Sequence, residues 1–148
     1  MTSTSATSTS AAAPMTRTNR TAMLAGLGLA LSAITIVAGN YNVRDGENGG
    51  VGPGISTGVI SAVVAALLFG LVVPRIRKAD RATLILGIVT VLSIAVFWSG
   101  VTPILAAATV AAANRQEIPS RRTTVMRWVA IAVALVTVVF TLANSHLF

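Results

Sequence analysis

The chain has 148 residues, of which 54% are apolar and only 10% carry a charge. Soluble domains carry about 25% charged residues, so a mean hydropathy of +0.80 with four acids against eleven bases excludes an ordinary water-soluble enzyme. The net charge of +7 does not point to nucleic acid. The bases fall in short clusters between long uncharged runs, without a basic stripe interleaved with aromatics. This is the pattern of a chain whose first partner is a lipid bilayer.

The chain opens on a Thr, Ser and Ala tract that cannot bury enough apolar area to offset its ordering. Residues 1–20 are therefore expected to form a disordered cytoplasmic tail, and residues 21–148 one transmembrane helical domain. The first apolar run, Ala22 to Gly39, is 18 residues long, which exceeds the ~7–15 of a secretory signal. Ile36-Val37-Ala38 is also a poor cleavage site, so the run reads as an uncleaved anchor. Asn19-Arg20-Thr21 fits the glycosylation sequon, but its place against the cytoplasmic face keeps it from that chemistry.

The segment Asn40 to Gly54 contains five glycines and reads as an external loop, with Tyr41 at the headgroup level. Asn42, Asp45, Glu47 and Asn48 offer oxygens, yet their spacing fits no EF-hand and Arg44 opposes a cation, so no metal site is expected. The second run, Ile55 to Val73, is apolar on every side over 19 residues. Ala62, Ala66 and Gly70 recur on it at four-residue spacing, a small-residue face expected to pack against another helix, within the chain more readily than between chains. Ala22, Gly26 and Ala30 repeat the pattern on the first run.

The third run, Ala82 to Ala113, is 32 residues long. As one straight helix it would reach about 48 Å, too far for a hydrocarbon core of about 30 Å. It either doubles back or continues as one long helix kinked at Pro103. Trp98, Ser99, Gly100, Thr102 and Pro103 form the predicted hairpin turn: an interfacial aromatic, a flexible glycine, a threonine able to cap and a proline suited to open a helix. The returning arm from Ile104 to Arg115 is rich in alanine and spans only about 20 Å. The fourth run starts at Trp128, a second interfacial aromatic.

Basic residues are retained on the cytoplasmic side, which separates the two topologies. A single crossing of the third run leaves six bases inside and five outside, whereas a hairpin leaves ten inside and one outside. The hairpin is therefore preferred, with the N-terminus inside. Arg75, Arg77, Lys78, Arg81, Arg115, Arg121, Arg122 and Arg127 then supply cytoplasmic charge, and their clusters also suit anionic lipid headgroups. Asp80 and Glu117 are expected to balance Arg77, Arg81, Arg115 or Arg121.

The expected fold is all-α, a polytopic transmembrane bundle of four full spans plus a short, proline-started returning helix. The alternative is four spans with a long kinked third helix. No cysteine is present, the single His146 reads as an exposed terminal residue, and no carboxylates pair for acid and base work, so no catalytic residue, cofactor or metal is expected. The spans contain no ionisable residue, which excludes proton relays, ion-coupled carriers and voltage sensors. Ser32, Thr35, Ser61, Thr90, Ser93, Thr137 and Thr141 could line a narrow polar path, although such hydroxyls mostly bond backbone or a neighbour.

Ala95-Val96-Phe97-Trp98-Ser99-Gly100-Val101-Thr102-Pro103-Ile104-Leu105-Ala106-Ala107-Ala108 resembles the helix, Trp-x-Gly turn, proline and alanine-rich return of small integral membrane proteins of bacteria, many of uncharacterised function. The resemblance implies a compact polytopic fold in a bacterial cytoplasmic membrane and brings no ligand or catalytic residue. The expected role is non-enzymatic, an accessory or scaffolding subunit among other membrane subunits. The competing reading is a small uncoupled permeation or lipid-handling protein, which requires a continuous hydroxyl-lined cavity across the midplane.

Overall fold

A computed structural model describes residues 16–40 and 51–144, with the side chains of Val51, Phe97 and Trp98 left aside. The expected tail before residue 16, the loop residues Tyr41 to Gly50 and His146 lie outside the described residues. Helix accounts for almost everything that is described, and no strand occurs there, so the fold is all-α.

Helix α1 (Arg17–Asn40) starts earlier than the apolar run suggested. Thr16 caps it: its Oγ1 accepts from the Asn19 N–H at 3.3 Å and its carbonyl from the Arg20 N–H at 3.1 Å. Arg17 to Arg20, expected in the disordered tail, are thus its opening turn. Helix α2 (Val51–Leu67) also begins early, and Val51 to Gly54, expected as loop, belong to it. Gly-Pro-Gly is tolerated because the opening turn of a helix has no internal acceptors for its N–H groups. The Pro53 carbonyl accepts from the Ser56 and Thr57 hydroxyls at 2.9 and 2.8 Å.

After Leu67 the helix widens into a π-helical stretch (Leu68–Val72) and closes with the short α3 (Val73–Arg75). The Val73 N–H reaches back five residues to Leu68 O. Pro74 accounts for the widening: it has no N–H for the carbonyl one turn back, and its ring crowds that carbonyl.

Helix α4 (Ala79–Leu92) passes into a 3-10 stretch (Ser93–Ser99) in which Val96 leaves helical geometry at φ −124°, ψ 40°. Gly100 follows at φ 68°, and α5 (Val101–Ala113) runs back. The two arms are antiparallel: the Ser93 hydroxyl donates to Thr102 Oγ1 at 3.0 Å, and further along Thr90 and Thr109 share a hydroxyl bond of 3.1 Å. The third apolar run therefore folds back on itself, and the single kinked helix is excluded. The helix start differs in detail from the expected one. Gly100 is the N-cap and Pro103 is the third helical residue, while Thr102, instead of capping, donates to Ser93 O at 3.2 Å.

Helix α6 (Arg121–Asn144) completes the bundle. Helix α5 lies at its centre, packed on α1, α4 and α6, with α2 outside against α1. Among the described residues four helices are long and apolar enough to cross a membrane, and α5 is a shorter apolar one. The core is made mostly of small residues: Ala108, Ala112, Ala130, Thr35, Thr90, Thr109 and Ser32 are buried, and Ile104 and Val73 are the largest of the side chains that are fully enclosed. Leu27, Ile55, Val59, Ile85, Leu92, Val136, Val139 and Phe140 face outward. Large apolar side chains outside and small ones inside suit lipid, where helices associate by close backbone approach and not by expelling water.

Candidate functional site at the basic end

Ten of the bases gather at one end of the bundle. Arg115 Nη1 donates to Pro74 O at 3.1 Å, tying the end of α5 to the end of α3. Asp80 Oδ1 accepts from the Ser120 hydroxyl at 2.6 Å and from the Thr123 hydroxyl at 2.5 Å, tying the start of α4 to the start of α6. Arg17 and Arg20, at the start of α1, share a cavity with Arg115. The segments carrying Arg75, Arg77, Lys78, Arg81, Arg121 and Arg122 are thereby brought to the same end, and all six residues are exposed. Arg127 sits further into α6, with its guanidinium 5.7 Å from the Trp128 ring centroid, within reach of a cation–π contact. Asp80 was expected to balance an arginine; it accepts from two hydroxyls at a helix N-terminus, whose dipole also favours a carboxylate, and the charge of Arg122 adds to their effect.

Two hollows open at this end. One, of about 270 Å³, is lined by Arg17, Arg20, Thr21, Leu24, Ala111, Asn114 and Arg115. The other, of about 380 Å³, shares Arg17, Thr21 and Arg115 and extends over Ala22, Ala25, Phe69 and Pro74. Arg115 Nε is buried within the protein and has no hydrogen-bond acceptor. The sequence placed Arg115 among topology-setting charges and left Arg17 and Arg20 in the tail. Their convergence depends on α5 returning beside α1, which spacing along the chain does not reveal.

The turn residues occupy the opposite end. Gly100 lies so close to α1 that a Cβ there would fall 2.6 Å from Ile36 Cγ1 and 2.8 Å from Ser32 Oγ. The Ser61 hydroxyl of α2 donates to Ser99 O at 3.0 Å, so Ser99 joins the turn to a second helix. Thr102 and Pro103 are buried. Trp98 belongs to the 3-10 backbone, and its side chain is outside the described residues.

The expected small-residue faces are not the ones that pack within the described chain. Ala62, Ala66 and Gly70 are exposed, and a Cβ on Gly70 would meet nothing within 4 Å. Helix α2 buries Ser61 and Ala65 instead. On α1, Ala22, Gly26 and Ala30 are likewise exposed, and the close approach is made by Gly28, whose Cβ would lie 2.9 Å from Ala107 Cβ and 3.4 Å from the Ile104 backbone. Small-residue spacing marks a face that permits approach; which face is used depends on the partner.

The seven candidate pore hydroxyls are all buried. Thr35, Thr90 and Thr141 donate to carbonyls one turn back at 2.8, 2.7 and 2.8 Å, and the one Ser93 hydroxyl hydrogen is shared between Thr102 Oγ1 and Thr90 O, the latter at 2.7 Å. Ser32 and Ser61 border a hollow of about 220 Å³ between α1 and α2. Thr35, Ser61, Thr90, Ser93 and Thr141 thus bond backbone carbonyls or a neighbouring hydroxyl inside a packed core, whereas the buried Ser32 Oγ has no hydrogen-bond partner. Comparison with protein-family models, curated proteins and solved structures finds no match.

Proposed function

We propose that the protein is a non-enzymatic, multi-pass protein of a bacterial cytoplasmic membrane, N-terminus inside, acting as an accessory or scaffolding subunit of a membrane complex. One observation carries this reading. The Ala62, Ala66 and Gly70 face of α2 is left open on the outermost helix of the bundle. A face of this kind lets a second backbone approach closely, and a Cβ added at Gly70 would meet nothing within 4 Å. The partner is accordingly a helix of another membrane protein. The gathered bases support the orientation through their retention on the cytoplasmic side.

Uncoupled permeation is the weaker reading, because most of the hydroxyls it needs bond backbone carbonyls or one another, and the unpartnered Ser32 Oγ borders only a hollow between α1 and α2. Affinity purification in a mild detergent tests the choice. A stoichiometric membrane partner is expected with the native chain and is lost with Ala66→Leu or Gly70→Leu. These variants alter only an exposed surface, so the monomer keeps its helix content. Solute flux into liposomes containing the protein alone, with no partner recovered, would overturn the subunit reading.

A further inference from the structure

We propose that the cleft between the start of α1 and the ends of α3 and α5 binds the phosphate group of an anionic phospholipid. Arg17 and Arg20, three residues apart on α1, share one side of the helix and line the same hollow as Arg115 and Asn114. The positive end of the α1 dipole adds to their field. No carboxylate lines the hollow, and the nearby Asp80 is held by Ser120 and Thr123. Three guanidinium groups thus border one hollow with no acid in its wall.

Arg115 carries the argument further. Its Nη1 is fixed on Pro74 O at 3.1 Å, which orients the side chain, while its Nε is buried without an acceptor. The Nε is closed off by protein, so an acceptor in the hollow meets the other N–H groups of Arg115 beside those of Arg17 and Arg20, and a phosphate is the acceptor that guanidinium groups match best. The remaining question is whether that phosphate is free in solution or part of a lipid.

The second hollow answers it. It shares Arg17 and Arg115 with the first hollow and continues along Ala22, Ala25 and Phe69, an apolar trough between α1 and the π-helical stretch that follows α2. A charged mouth joined to an apolar trough, at the end of helices long enough to cross a membrane, fits a headgroup phosphate with its acyl chain attached. The proposal does not depend on the subunit reading, since α2 presents Ala62, Ala66 and Gly70 away from the packed core.

Native mass spectrometry of the full chain in detergent, titrated separately with phosphatidylglycerol, phosphatidylcholine and inorganic phosphate, tests it. Phosphatidylglycerol is expected to be retained at one copy per chain and phosphatidylcholine to bind at least about tenfold more weakly, because its choline ammonium offsets the phosphate charge and is repelled by the three guanidinium groups. Arg115→Gln and Arg20→Gln should each weaken phosphatidylglycerol retention about tenfold, while Arg122→Gln, which removes the same charge outside the cleft, should not. Arg20 is exposed, so that variant keeps the test available should Arg115→Gln misfold. Equal retention of the two lipids, or an equal loss with Arg122→Gln, overturns the site. Inorganic phosphate binding as tightly as phosphatidylglycerol overturns the lipid assignment.

Discussion

The Ser120 hydroxyl donates to Asp80 Oδ1 at 2.6 Å while the same oxygen accepts from the Thr123 N–H at 3.2 Å. One side chain thus caps α6 and secures it to the start of α4, forty positions away in sequence. Ser120→Ala removes both interactions, and the lost cap alone costs about 1 kcal/mol. Asp80→Asn keeps the shape and removes the charge, so it should lower the melting temperature in the same direction. Combining the two should cost less than the sum of the single changes, because they break one shared contact. Thermal unfolding in detergent, followed by far-ultraviolet circular dichroism, reads all three; full additivity would show that the two residues are not coupled.

Gly28 and Gly26 provide a matched pair on α1. A Cβ on Gly28 would sit 2.9 Å from Ala107 Cβ, with backbone of Ile104 behind it, whereas a Cβ on Gly26 meets nothing within 4 Å. Gly28→Ala must push α1 away from α5 and is expected to destabilise by about 1–3 kcal/mol. Gly26→Ala should be neutral or stabilising by up to about 1 kcal/mol, since alanine is the better helix former. Unfolding by sodium dodecyl sulfate measures both. Equal responses would mean that α1 and α5 are not in close backbone contact.

The two glycines also show what could be read from the chain and what could not. Uncharged length alone locates the four long helices, because a bilayer imposes a minimum run and excludes charge from it. The reversal at Gly100 was legible because Ala82 to Ala113 is too long for one crossing and because the bases around it only sort consistently if it turns. Face selection was not legible. Gly26 and Gly28 are equally small, and only the arrival of α5 gives Gly28 a neighbour. For the same reason the outward turn of Ala62, Ala66 and Gly70 escaped the spacing argument. Helix α5 was read as a marginal returning arm, yet its alanines occupy the centre: residues small on every side permit close packing on every side. The cleft of Arg17, Arg20 and Arg115 joins residues nearly a hundred positions apart, a juxtaposition made by tertiary packing.

Gly100 carries the reversal itself. At φ 68° an alanine pays the left-handed penalty of about 1–2 kcal/mol, and its Cβ would overlap Ile36 Cγ1 at 2.6 Å. Gly100→Ala should therefore destabilise by more than the backbone term alone. Reducing the α1 side with Ile36→Ala in the same chain should recover part of the loss, although removal of buried Ile36 has its own cost of about 2–5 kcal/mol. A double-mutant cycle isolates the coupling. A coupling near zero would show that the turn does not rest on α1.

The grouping of ten bases at one end becomes a statement about orientation once the bilayer is included. In the proposed orientation, which rests on positive-inside retention, that end faces the cytoplasm and the far end of α6 the outside. The chain has no cysteine, so single reporters are free of background. Ile118, 89% exposed in the segment before α6, and Ala143, exposed at the far end of α6, make the comparison direct. With a membrane-impermeant maleimide, Ile118→Cys is expected to react in inverted vesicles and not in intact cells, and Ala143→Cys the reverse. Reaction of Ile118→Cys in intact cells would invert the orientation. Reaction of both from one side would mean that α6 does not cross, leaving its exposed Leu135, Val136, Val139 and Phe140 without the lipid that their burial in hydrocarbon requires.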